Sequence, residues 1–297
     1  MLDDALRQRL EQLNRRPLPE LPSAAPLSTR SIVEPVAASA STPIPRPHLP
    51  VLPVGEDVSL TTVVPGEVVS TSPGKFYAIR KPLAELGPRL SPEALATIAA
   101  EHADQPSVTS PADAEAFAAA FPRRVMLLDI ETCGFAGSTI FLVGLIHAHG
   151  GEWILEQLLA RDYAEEPAML QAVWDRATES DVLLTFNGKS FDWPMIHDRS
   201  TVHRRGLADR PTPRHLDVLH MARRRWRDVL PNCKLQTLER YICARRRSAD
   251  LPSAQVPQEY HHFVRTGDAR RMADILLHNA LDLVTLFELT LRLMKTT

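Results

Sequence analysis

Two carboxylates spaced two residues apart, Asp129 and Glu131, end the apolar stretch VMLLDIE (125–131). In an extended strand, residues i and i+2 share a face, so both acids point the same way. At about 4 Å and an effective dielectric near 20 they repel by roughly 4 kcal/mol, and a divalent cation turns that repulsion into attraction. A metal site needs further ligands, and the chain offers two more acids. Asp192 follows Asn187-Gly188-Lys189-Ser190-Phe191, directly after the apolar run DVLLTF (181–186). The end of a strand leading into a loop and helix is where α/β proteins assemble sites. Followed by Trp193 and Pro194, Asp192 fits a helix N-cap equally well. Asp282 lies inside LDLVTLFEL (281–289), and a carboxylate in such a run is costly unless partnered. His278 precedes it by four residues, which places the two about 40° apart around a helix axis and one turn apart. A lone helical histidine, taken by itself, is more often a packed or surface residue.

Positioning these groups requires strands and helices, and the pattern predicts them. VMLLDIE, IFLVGLIHA (140–148) and EWILEQLL (152–159) read as three strands, followed by a helix over 167–178, the strand DVLLTFN and a helix from about Asp192. This order makes an α/β layer fold. The remainder reads as helices over 217–227, 234–242, 257–265 and 268–294. In the last of these, Met272, Leu276, Asn279, Leu283, Leu286, Thr290 and Leu293 form one stripe that should face the sheet.

Upstream the organisation changes. Leu2, Leu6, Leu10 and Leu13 mark a short amphipathic helix within residues 1–16, and residues 17–53 carry ten prolines and read as an extended linker. A helix isolated in this way suggests a tethered docking element, for a helicase or a similar repair partner. Residues 54–121 read as an accessory N-terminal extension ahead of a main domain over 122–297. VSLTTVV (58–64) and KFYAIRK (75–81) look like short strands, and Ser91-Pro92-Glu93 opens a helix.

Composition narrows the classes. No apolar run approaches the ~18 residues that span a bilayer, and the start lacks the basic-then-apolar order of a signal peptide. The expected setting is cytoplasmic, without membrane contact. Cys133, Cys233 and Cys243 lack the spacing of a disulfide framework or a zinc site. The net charge of −2 hides an asymmetry: residues 199–247 hold 14 Lys or Arg against 4 Asp or Glu. That balance suggests a surface facing a polyanion. Arg223, Arg224, Arg225 and Arg227 share a helix, so not all can touch one strand; Arg204, Arg205, Arg245, Arg246 and Arg247 add to the same field. Asp217, beside that helix, reads as a salt-bridge partner ahead of an auxiliary acid. Trp193 and Trp226 could stack on bases, but core packing is the stronger reading.

Taken together, Asp-x-Glu at 129–131, Asn-x3-Phe-Asp at 187–192 and His-x3-Asp at 278–282 resemble the DEDD exonuclease superfamily of the ribonuclease-H-like fold. RHLDVLHMARRRWRDVLPNCKLQTLERYICARRR (214–247), VPQEYHHFVRTGD (256–268) and LLHNALDLVTL (276–286) resemble the bacterial YprB-type domain more closely. Each motif alone is weak, and the combination is strong over about 124–294. The His–Asp spacing is that of the tyrosine-type branch and of the YprB-type group. Cys133 stands where many relatives have Thr; a small filler of the turn is the stronger reading, though a thiol near a metal site could make activity oxidant-sensitive.

The resemblance implies a mixed central sheet flanked by helices behind a proline-rich tail. It implies 3′–5′ hydrolysis of phosphodiester bonds, of DNA ahead of RNA, in DNA repair or processing. Two divalent ions, Mg²⁺ or Mn²⁺, suit ligands that are all oxygen. Asp129, Glu131, Asp192 and Asp282 are then the metal ligands and His278 the proton acceptor. Nucleic-acid contacts would come from Asn187, Lys189, Arg204, Arg205, Arg223, Arg224, Arg227 and Lys234. An exoribonuclease, or a nucleic-acid-binding protein with a vestigial nuclease fold, are the alternatives.

Overall fold

The computed structural model describes residues 58–102, 105–135, 137–203, 206–247 and 251–294. The helix and linker expected over 1–53, and Arg204 and Arg205, lie outside the described residues. A seven-stranded mixed sheet forms the centre, in the order β1-β2-β5-β4-β3-β6-β7. Its strands are β1 (Glu67–Thr71), β2 (Gly74–Pro82), β3 (Val125–Thr132), β4 (Ile140–His149), β5 (Glu152–Leu159), β6 (Val182–Thr185) and β7 (Arg214–Asp217). β3 pairs antiparallel with β4 and parallel with β6, and β6 pairs parallel with β7.

β3 is buried on both faces, which is why it reads as an unbroken apolar run until its last residues. Val125 and Leu127 belong to the core on one side, while Met126, Leu128 and Ile130 belong to the core on the other. The second side is covered by α4 (Glu166–Thr178) and α5 (Asp192–Val202) through Met169, Val173, Trp174, Trp193 and Ile196. Trp193 packs its ring 5.2 Å from that of Trp174, and Trp226 lies against the core on the first side. Both tryptophans therefore pack.

The first side is covered by α9 (Met272–Leu293), the long final helix. All seven residues of its expected stripe are buried, and so are Ile275, Val284, Phe287 and Leu291 around the rest of its circumference. The helix is enclosed because α2 (Pro92–Glu101), α6 (Val218–Trp226), α7 (Leu235–Tyr241) and α8 (Val256–Thr266) pack on it as well. The ring of Tyr260 on α8 stacks 3.9 Å from that of Phe141 on β4.

Upstream of β3 the expected elements form in part. KFYAIRK lies in β2, which extends the sheet by pairing with β5, and Ser91 caps α2 by accepting the Ala94 N–H. VSLTTVV is not a strand. Ser59 accepts the Thr62 N–H and starts a single helical turn, α1 (Leu60–Val63), which buries Leu60 and Val63. A local cap outweighs the β-propensity of Thr and Val here. A second helix, α3 (Pro111–Ala120), capped by Ser110, also precedes β3. The helix expected over 217–227 is α6, which starts at Val218, and the short strand β7 that leads into it is not apparent in the sequence. Four residues are too few to show a period in the sequence, and pairing with β6 decides them.

Candidate active site

The expected ligands meet at the carboxyl end of β3. Asp129 and Glu131 are both partly exposed on the face that α9 covers. Asp129 lies opposite Gly144 of β4. Across it lies Asn279 of α9, whose Nδ2 donates to Asp129 Oδ2 at 2.8 Å and to the Asp129 carbonyl at 3.3 Å. The Asn279 amide is itself oriented by Gln157 of β5, which donates to its Oδ1 at 2.9 Å.

Asp192 comes from the opposite layer and reaches round the end of the sheet. The β3–β6 ladder stops at Leu127, and the Ile130 N–H beyond it donates to Asp192 Oδ1 at 3.3 Å. The cap reading of Asp192 is therefore corrected: it is the first residue of α5, behind a Phe191 N-cap that makes no side-chain cap bond. The loop before it is held by Asp217. That carboxylate accepts the backbone N–H groups of Asn187 (2.9 Å) and Lys189 (3.2 Å), and it caps α6 through the Leu219 N–H (3.1 Å). Asp217 is thus a buried bracket for the loop, not the salt-bridge partner expected. It saturates its oxygens with N–H donors, which a carboxylate does without needing an arginine.

Asp282 and His278 share a face of α9 as their spacing requires, with His278 Nε2 at 3.6 Å from Asp282 Oδ2. The other oxygen of Asp282 accepts from Nη2 of Arg247. The same guanidinium reaches Glu239 of α7, 2.7 Å from its Nε.

The electrostatics report how close the acids are. Burial pushes the Asp129 carboxyl well above the usual range, and the charges of Asp282, Asp192 and Glu131 push it further, against the opposing bond from Asn279. Asp192 is pushed up to about 7, first by burial and then by Asp217 and Asp282, although backbone N–H bonds at its own position and at Ile130 work against the shift. Four acids with only oxygen donors, two of them held above the usual range by burial and by their neighbours' charges, fit a hard divalent cation. Among the described residues, however, no three His, Cys, Asp or Glu side chains form a closed ligand set. Asp282 faces Arg247 instead.

Other expectations change with burial. Cys133 lies just past Glu131, and burial foremost pushes its thiol up to about 12. A thiol so placed suits the reading of Cys133 as a small filler of the turn. Arg245 and Arg247 do not belong to an outward-facing basic field. Arg245 is buried and lies 2.7 Å from Glu288, while Arg247 is committed to Glu239 and Asp282. Arg223, Arg224, Arg227 and Lys234 are exposed on and after α6, as are Asn187 and Lys189 beside the site. Arg224 donates to the Val108 carbonyl at 2.7 Å, and Arg227 lies 3.8 Å from Asp228. Asn187 adopts a left-handed φ of 67°, which asparagine tolerates better than most residues.

Asn279, Gly144, Glu239 and the inward role of Arg247 are not apparent as site residues from spacing, and Asp217 is apparent as an acid but not as the bracket of the loop. Asn279 left one signal, an amide in the middle of an apolar stripe, which must find buried partners.

A family model described as the RNase_H superfamily matches residues 126–294. Over 176 residues, 58% of this chain and 42% of the relative, the sequence is 33% identical to the uncharacterized protein YprB of Bacillus subtilis (strain 168). The chain thus spans less than half the length of that relative. Among solved structures, the family B DNA polymerase from the hyperthermophilic archaeon Pyrobaculum calidifontis aligns with a TM-score of 0.45 at 17% identity, over 57% of this chain and 24% of that one. Because the family match opens in β3 and closes just past α9, it takes in every element that builds the carboxylate cluster: the chain belongs to the RNase_H superfamily, with a YprB-type ribonuclease-H-like domain.

Proposed function

We propose that this protein is a divalent-metal-dependent 3′–5′ exonuclease that hydrolyses phosphodiester bonds of nucleic acid, DNA ahead of RNA, in repair or processing. One observation carries the reading: Asp129, Glu131, Asp192 and Asp282 converge from β3, α5 and α9 closely enough for the charges of the other three to act on Asp129 and that of Asp282 on Asp192. Membership of a superfamily of nucleases supports the reaction class; the 3′–5′ polarity and the preference for DNA are carried by the motif resemblance.

In this reading the four carboxylates hold Mg²⁺ or Mn²⁺, the ions suited to oxygen ligands. When bound, such ions polarise the scissile phosphate and lower the pKa of water. The chain's own groups do the rest. Asn279 orients Asp129, and the Ile130 N–H orients Asp192. His278 Nε2 accepts the proton of the attacking water as general base, and exposed Lys189 and the Arg223, Arg224, Arg227 and Lys234 group attract the phosphate backbone.

The guanidinium on Asp282 favours a second reading, a nucleic-acid-binding protein whose nuclease site is vestigial. End-labelled single- and double-stranded DNA and RNA, incubated with Mg²⁺ or Mn²⁺, separate the two. The parent should shorten labelled DNA from the 3′ end, while Asp129→Asn should lose essentially all hydrolysis and still bind nucleic acid. Full turnover by Asp129→Asn with Mn²⁺ would sink the metal model, and an inert parent would favour the vestigial reading.

A further inference from the structure

We propose that Arg247 is a built-in competitor for the divalent cation: it holds Asp282 in the metal-free site and must release it when metal enters. This rests on the reading of the four carboxylates as a metal site, and it deepens that reading by assigning a residue that sets when the site can load.

The geometry points this way in three respects. The first is where the positive charge sits. Asp129 is held by the neutral amide of Asn279 and Asp192 by backbone N–H groups, whereas Asp282, the ligand that α9 must supply, carries a guanidinium. A divalent ion approaching the cluster meets that cation at one of its own ligands, and like charges on one carboxylate repel.

The second is that the guanidinium has somewhere to stay. Its Nε remains 2.7 Å from Glu239, a buried acid of α7, and Glu239 is also approached by Arg245 at 3.8 Å, which pairs with Glu288 of α9 at 2.7 Å. Removing one partner from a buried pair normally strands a charge. Here Arg247 can give up Asp282 and keep Glu239, so the exchange leaves no orphan.

The third is access. The side chain of Asp282 is 18% exposed, against 7% for that of Arg247 and 2% for that of Glu239. The shared carboxylate is thus the most accessible of the three groups to an ion, and the tether is the least. Arg247 is therefore built to be displaced from its outer partner and retained by its inner one. The site then stays closed at low metal and opens as metal rises.

Mn²⁺ binding, measured by calorimetry and by the free-ion signal in electron paramagnetic resonance, tests this without reference to turnover. The proteins are the parent, Arg247→Met, Arg247→Lys and Asp129→Asn. Arg247→Met removes the charge and keeps the apolar stem, so it should bind Mn²⁺ about 10-fold or more tightly than the parent, the scale at which groups contacting ligands tune metal sites. Arg247→Lys keeps the charge and should stay near the parent. Binding by Arg247→Met that equals or falls below the parent's would overturn the proposal, because Arg247 would then be bracing Asp282 as a ligand.

Failure of the underlying reading looks different: the parent and Arg247→Met would both bind Mn²⁺ no better than Asp129→Asn, and the competitor would fall with the site. If Arg247→Met does not fold, the parent labelled with ¹⁵Nη-arginine answers the question, because Nη2 is the group that leaves Asp282. The resonance identified by its loss in Arg247→Lys should shift on titration with Mg²⁺. A resonance unmoved at calorimetric saturation would overturn the proposal.

Discussion

His278 and Asn279 are neighbours with separate duties, and α9 makes the separation possible. A step of one residue turns the side chain by about 100°, so one of the pair faces Asp282 and the other faces Asp129. Asn279 ends in an amide whose two halves are used at once: the NH₂ group holds Asp129 and the oxygen accepts from Gln157. His278 is 5% exposed and rests against Asp282. Its neighbourhood suits a group that exchanges a proton inside the site. His278→Ala should lower single-turnover hydrolysis by about 10²-fold or more while leaving nucleic-acid affinity in place. An unchanged rate would remove it from the mechanism.

At the scale of elements, the site depends on how near α9 comes to the sheet, and Gly144 sets that distance. A Cβ at this position would lie 2.1 Å from Asn279 Oδ1 and 2.6 Å from Leu283 Cδ1. β4 therefore leaves out a side chain directly opposite Asp129, and the amide of α9 fills the gap. Gly144→Ala should destabilise the fold by about 1–3 kcal/mol, the usual cost of overpacking, as read from denaturant unfolding. Hydrolysis by the folded fraction should fall as well, since the methyl group displaces the amide that orients Asp129. Activity per folded molecule that stays at the parent level would show that Asn279 merely packs. The loop from β6 to α5 depends on contact in the same way, since Asp217 of β7 fastens its backbone from a neighbouring strand.

Across the whole molecule, Glu156 ties the layers together. This β5 side chain, 1% exposed, binds Arg80 of β2 at 2.6 Å, Arg176 of α4 at 2.9 Å and His147 of β4 at 3.1 Å. Burial alone would raise its pKa, but the bonds from His147, Arg176 and Arg80 and the charge of Arg176 reverse this and hold its carboxyl well below the usual range. A carboxyl whose pKa is depressed by folding lends stability above its unfolded pKa, about 4.3. That stability is lost as pH falls, because the unfolded chain binds the proton first. Thermal unfolding should therefore show Tm dropping progressively below about pH 5. Glu156→Gln should flatten that acid limb and cost about 1.5 kcal/mol at neutral pH through the lost charged hydrogen bonds, since Arg80 keeps Glu67 and both arginines reach solvent. An acid limb as steep in the variant as in the parent would place the sensitive carboxylates elsewhere.

The strands β2 to β6, the main helices and the four acids were legible in the sequence because each leaves a local trace, whereas the edge strands β1 and β7 were not. VMLLDIE is apolar at every position but two, DVLLTF runs into a polar loop, and His278 and Asp282 keep a helical spacing. What the acids mean to one another was not legible. Asp192 satisfies the requirements of an N-cap as well as those of a ligand until the end of β3 is placed beside it. Arg247 belongs to a run of three basic residues that reads as surface, and only the docking of α7 against α9 turns it inward onto Asp282. Gly144 looks like any glycine in a strand until Asn279 stands over it. Period and composition specify which face of an element is apolar, since that depends on residues three or four apart. The distances between elements depend on pairs such as Asp129 and Asn279, 150 residues apart, and those only the folded chain decides.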